Sequence, residues 1–290
     1  MEVLVFLIGL CFGSFINMLV WRTINEKELT KYVIARTPPL RGTKQSRRDR
    51  HAALAMTLSG RSFCDYCGKR LNWWNNVPVL SFLLQKGKSQ CCGKKLDISY
   101  SIVEIIMGVL FILNFKFLIF NFYSIFNFYF LISNAILVLV VYSAVYDAKT
   151  MYLPDWSTWA LIFLAIIYQI MGRPVGPPML YLLNIVYSAM GASLFLYLLS
   201  LIKIRGVEGM GKGDVLLAIF MGLLLGYPNI IVAFYVAFII GAVFGIVYLW
   251  IFKGKNKSTM IPFGPFLLLG TLVAWWWGEG LWYYFSNLVI

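Results

Sequence analysis

The chain has 290 residues, of which 60% are hydrophobic and only 13% charged, with a formal net charge of +13. Soluble domains carry roughly 25% charged residues, so the polar surface here is too small to cover a soluble globule. An aromatic content of 17% excludes a disordered chain, and five cysteines, four of them between positions 64 and 92, exclude a disulfide-stapled secreted domain. What remains is an all-α polytopic membrane protein.

A hydrocarbon core about 30 Å thick is crossed by roughly 20 apolar helical residues. The first such run is 3–21. Glu2 stands where a cleavable leader would carry cations, so this run reads as a retained helix. A polar stretch, 22–98, follows. Seven further spans are predicted at 100–117, 125–146, 156–171, 179–202, 215–225, 230–252 and 263–282, giving about eight in all. The run 215–225 is short and reads as a helix entering from a loop or cavity. Residues 114–130, rich in Phe and Asn, read as an aromatic belt at an outer turn. The expected division is 1–21 as the first span, 22–99 as a basic cysteine-bearing loop domain, and 100–290 as a seven-helix membrane domain.

Cationic loops stay in the cytoplasm. With the N-terminus outside, 23 of the 25 Lys and Arg residues fall inside, 16 of them in 22–98. Only Lys116 and Arg173 fall outside. Five acids in the loop leave it at 16 − 5 = +11. This charge reads as attraction to anionic lipid rather than as a nucleic-acid surface, because no nucleic-acid fold is legible there. The loop 22–98 is therefore expected on the cytoplasmic side of the membrane.

Acids at membrane depth are costly and usually functional. Glu2 and Glu279 fall near the outer surface, and Glu208 lies in a Gly-rich loop. Four remain: Glu104, Asp147, Asp155 and Asp214. Asp147 ends the third span and Asp214 begins the sixth, so both lie at the cytoplasmic face on different helices. Two carboxylates brought together can share a proton: one activates water while the other polarises a carbonyl. That is the chemistry of aspartyl proteolysis. Asp155, after Pro154, reads as a helix cap. Asp214 could also serve as one. Its setting, Gly211-Lys212-Gly213-Asp214, reads GxGD; glycine there lets a substrate strand approach closely. It is no dinucleotide loop, since no βαβ unit surrounds it.

Cys64-x-x-Cys67, with Cys91 and Cys92, lies where disulfides are disfavoured, and makes a zinc site plausible. Adjacent cysteines do not easily address one ion, so the expectation is that Cys91 joins through a loop shift or that another donor completes a three-cysteine site. His51 is a weak candidate for that donor, and metal-free thiols are the plain alternative. Cys11, in the first span, reads as a small packing residue.

Gly13-Ser14-Phe15-Ile16-Asn17 with Arg22, Cys64-x-x-Cys67, Asn76-Val77-Pro78 with Tyr100 to Glu104, Asp147 with Leu153-Pro154-Asp155, Gly209 to Asp214, and Ile261-Pro262-Phe263-Gly264-Pro265-Phe266 occur in this order. Together they resemble the bifunctional type IV prepilin peptidases, membrane aspartic peptidases of the GxGD type. The resemblance runs nearly end to end. It implies cleavage of prepilins and pseudopilins after the Gly that ends a basic leader, with Asp147 and Asp214 as catalytic residues. It also implies N-methylation of the new terminus with S-adenosylmethionine, Glu104 being a candidate for the cofactor. The family pattern has two C-x2-C pairs. Here Ser89 stands at the third cysteine and Cys92 at the fourth. Archaeal preflagellin peptidases look similar around the aspartates but lack the long loop, so a peptidase without methyltransferase activity is the alternative. A proton-coupled transporter is disfavoured because both key acids lie at one face rather than the midplane. Intact aspartates disfavour an inactive scaffold.

Overall fold

The computed structural model describes residues 1–24, 64, 67, 71–120, 128–172, 178–204, 207–208, 210–251 and 261–289. His51 and most of the basic stretch 23–60 lie outside these. The described elements are α1 (Glu2–Ile24), a 3-10 turn (Trp73–Asn76), α2 (Leu80–Leu84), α3 (Ser99–Phe120), α4 (Phe128–Thr150), α5 (Asp155–Met171), α6 (Pro178–Ser200), β1 (Lys203–Ile204), β2 (Val207–Glu208), α7 (Lys212–Leu225), α8 (Asn229–Ile251) and α9 (Gly264–Val289). Among the described residues, a helix falls on each of the eight expected spans. Five helices, α1, α3, α4, α6 and α8, are long and apolar enough to cross a membrane, whereas α5 is a shorter apolar helix. The short antiparallel β1–β2 pair was not expected from the sequence.

The chain falls into two compact units, Met1–Leu113 and Asn114–Ile290. In the first, α1 lies against α3. A Cβ at Gly13 would sit 2.5 Å from the Glu104 Cα, so only glycine permits this approach. One turn on, the Asn17 side-chain amide donates to the Tyr100 carbonyl at 2.8 Å. Phe12 and Phe111 pack further along the pair, with ring centroids 5.5 Å apart. Cys11 is exposed, which corrects the expectation that it packs internally.

In the second unit α7 is central, packing on α5, α6, α8 and α9, while α9 also packs on α4. Leu217, Ala218, Phe220 and Met221 of α7 are wholly buried. That burial explains why 14 residues suffice: the helix is surrounded by protein and need not match a bilayer. Its last carbonyls still need partners. The Gln169 amide of α5 donates to Leu223 O at 2.7 Å and to Leu224 O at 2.8 Å, and the Tyr181 hydroxyl donates to Gln169 Oε1 at 2.6 Å.

The aromatic outer turn is narrower than expected. Residues 114–120 continue α3, and 128–130 begin α4. The buried Asn114 amide donates to Ser133 Oγ at 2.9 Å and Asn134 Oδ1 at 3.3 Å. Polar side chains thus join these two helices where hydrocarbon offers no partner.

Candidate active site and cysteine centre

Asp147 lies near the end of α4 and Asp214 in the first turn of α7. Their side chains are 5% and 9% exposed. The two carboxylates lie within electrostatic reach of each other, and the Gly264 backbone N–H donates to Asp147. A Cβ at Gly264 would lie 2.5 Å from Asp147 Oδ2 and 3.2 Å from its Cγ, so α9 can deliver that N–H only because the residue is glycine. Sequence reasoning singled out the segment 261–266 but attached no role to Gly264. The missing signal was its distance from Asp147 along the chain.

Asp214 carries a second task. Its Oδ2 accepts the Gly211 N–H at 3.2 Å, so the carboxylate satisfies one amide at the start of its own helix. Gly211 has no side chain to return the bond, so only half of a capping box exists. The α7 N-terminus also favours negative charge at this position. Leu153 packs between the starts of α7 and α9. It lies 3.1 Å from a Cβ built on Gly213 and 3.4 Å from one built on Gly264.

Asp155 is not the N-cap of α5. Pro154 occupies that position with no side-chain cap bond, and Asp155 begins the helix. Proline before the first turn lacks only an N–H that the helix would leave unpaired. The exposed Asp155 instead accepts the Tyr152 hydroxyl at 3.2 Å.

The first unit holds the other predicted residues. Glu104 is buried; its Oε2 accepts the Val79 N–H at 2.8 Å, and the Ser14 hydroxyl also bonds to it. Val79 adopts φ 57°, unfavourable for a β-branched residue, and this turns its N–H toward Glu104. The motif residues of α1, α3 and the segment before α2 therefore bind one another.

Cys64, Cys67, Cys91 and Cys92 gather with all four sulfurs within 4.8 Å of one another. Cys67 and Cys91 Sγ lie 3.2 Å apart, and Cys64 and Cys92 Sγ 3.8 Å. A tetrahedral ion with bonds of about 2.3 Å needs sulfurs about 3.8 Å apart, so the set fits a thiolate-bound metal. The adjacent cysteines converge because they sit on a turn: Ser89 N–H donates to Lys94 O, and Gly93 N–H to Ser89 O, each at 2.8 Å. Side chains that would diverge on a strand are brought round together. Ser89 itself is buried beside the cluster, its Oγ 3.1 Å from Cys91 Sγ and 3.4 Å from Cys64 Sγ.

Comparison with known proteins follows this division. A model described as the bacterial peptidase A24 N-terminal domain matches residues 7–118, and one described as the type IV leader peptidase family matches residues 134–246. Proteins named prepilin leader peptidase/N-methyltransferase are similar over most of their length. One from Neisseria gonorrhoeae is 30% identical over 95% of this chain and 90% of its own. One from Xanthomonas campestris pv. campestris is 28% identical over 94% and 90%, and one from Legionella pneumophila 31% over 77% and 75%. No solved structure matches the chain.

Proposed function

Because the chain belongs to the type IV leader peptidase family, we propose that it cleaves the basic leader from prepilins and pseudopilins at the cytoplasmic membrane face and then N-methylates the new terminus. The observation that carries the peptidase reading is the pairing of Asp147 with Asp214, two buried carboxylates from separate helices within electrostatic reach. One carboxylate takes a proton from water, and the resulting hydroxide adds to the carbonyl carbon of the leader's last Gly. The other, protonated, donates to the carbonyl oxygen. Collapse of that adduct breaks the C–N bond, and the departing nitrogen takes a proton from the pair. The Gly264 N–H holds Asp147 in orientation. The substrate's cationic leader and apolar helix place the scissile bond where the cation-rich loop and the bilayer meet. That placement fits a multi-pass protein of the bacterial cytoplasmic (inner) membrane, with no nucleic-acid partner.

The cysteine centre is read as a structural zinc site. Cys64, Cys67, Cys91 and Cys92 would hold the ion, and the gain is folding energy for the module rather than reaction chemistry. S-adenosylmethionine supplies the methyl group when bound. Glu104, which accepts the Val79 N–H and bonds with Ser14, is the candidate contact for that co-substrate, and it also holds the segment before α2 on α3.

The test is cleavage of a prepilin by purified protein in lipid nanodiscs. Asp147→Asn and Asp214→Asn should each lose at least the roughly 10²–10⁴-fold typical of one acid–base group, with the fold intact. Asp155→Asn should stay close to wild type. Near-normal processing by either buried-pair variant overturns the assignment.

A further inference from the structure

The module that carries the cysteines exposes an apolar patch that neither the peptidase reading nor the metal site uses. Leu80, Leu83 and Leu84 of α2 are 53%, 65% and 73% exposed, and Trp74 is 49% exposed. Gln85 at the end of α2 donates to Asn75 Oδ1 at 3.4 Å, which ties the turn bearing Trp74 to the helix. Exposed clusters of this kind mark an interaction surface.

The depth of the patch identifies its partner. The apolar span of α3, Ser99–Ile119, has 21 residues. At 1.5 Å per residue it is about 31 Å long, the thickness of the hydrocarbon core. Glu104 lies five residues into it, about 7.5 Å below its start. Val79, immediately before α2, is hydrogen-bonded to that carboxylate at 2.8 Å. The first residue of α2 is therefore held at or just inside the hydrocarbon boundary. Ile98, directly before the span, is 62% exposed at the boundary itself. Charge agrees with depth: Lys86, Lys88, Lys94 and Lys95 are all exposed in this module, against a single acid, Asp97, between residues 71 and 98.

We propose that α2 and Trp74 insert into the lipid interface beside α3, with the neighbouring lysines on anionic headgroups, so that the module lies on the bilayer rather than in free solvent. Leucine and tryptophan at the acyl boundary with lysine at the headgroups is the composition of an interfacial anchor. The patch then keeps the cysteine centre at the level where a leader emerges from the membrane.

The full-length protein with Leu83→p-benzoylphenylalanine, placed in nanodiscs and irradiated, tests this through the mass of the adduct. A phospholipid adduct is expected, in greater yield with phosphatidylglycerol than with phosphatidylcholine; the same group at exposed Gln90 should give little. An adduct to another segment of this chain, or no adduct, overturns the insertion. Equal yields in the two lipids overturn the role of the lysines. Hydrogen exchange of the unsubstituted protein provides a second reading. Amides 80–85 should exchange more slowly in phosphatidylglycerol nanodiscs than in phosphatidylcholine ones, and identical rates count against the proposal.

Discussion

Gly264→Ala probes the pairing of α9 with Asp147 without removing any ionisable group. The added Cβ would lie 2.5 Å from Asp147 Oδ2, whereas ordinary contact begins at 3.4 Å, so one of them must move about 0.9 Å. The carboxylate cannot swing freely, because the same Cβ would lie 3.2 Å from its Cγ and 3.4 Å from Leu153 Cδ1. A misplacement of about 1 Å can cost about 10²-fold in rate, and the Gly264 N–H contact is strained or lost as well. The expected result is a fall in kcat/KM for prepilin cleavage of about 10²-fold or more, with the protein still folded in nanodiscs by circular dichroism and thermal unfolding. Gly245→Ala is the control. Nothing lies within 4 Å of a Cβ there, so the change should be neutral or slightly stabilising through helix propensity. Wild-type cleavage by Gly264→Ala would refute the claim that α9 positions Asp147.

Three further outcomes follow from the same reasoning. Protein purified without chelator should carry about one zinc per chain, and Cys64→Ser or Cys67→Ser should lower that content, since each removes one of four thiolates; full occupancy in the double variant would dismiss the site. Gln169→Leu should lower the unfolding temperature, because it strands two carbonyls at the end of α7, each worth about 1–3 kcal/mol when buried and unpaired, and an unchanged transition would show that other partners replace the amide. Cleavage should proceed without S-adenosylmethionine, and disrupting Cys64 and Cys67 should impair methylation more than cleavage. Mass spectrometry of the mature terminus checks this, and a wild-type product lacking a methyl group despite ample donor would leave a peptidase alone.

Much of the molecule was legible from residue order because the bilayer narrows the options. A stretch of apolar residues in hydrocarbon must satisfy its backbone internally, so it is helical, and the helices at 100–117, 156–171 and 230–252 are read with little freedom. The two aspartates stood out for the same reason: an acid at the end of an apolar run is conspicuous when so few are present. Boundaries were less secure. The stretch at 114–130 looked like a turn by composition, yet Asn114 belongs inside α3, because its amide finds Ser133 and Asn134 on the next helix. Asp155 looked like a cap by position, but the proline before it already occupied that place.

The convergences belonged to tertiary structure. Residue order supplies four thiols, but only the turn from Ser89 to Lys94 brings Cys91 and Cys92 to one point. It supplies a glycine at 264, but not that its missing side chain is the space in which Asp147 sits. It marks Glu104 as an acid in a span, while the fold shows that its carboxyl oxygen accepts the backbone N–H of Val79. Local pattern determines which segments become helices, since hydrogen bonding and hydrophobic burial act on neighbours in the chain. Which side chains then meet depends on packing between segments far apart in sequence, where small residues, tight turns and single hydrogen bonds select one arrangement among many of similar hydrophobicity.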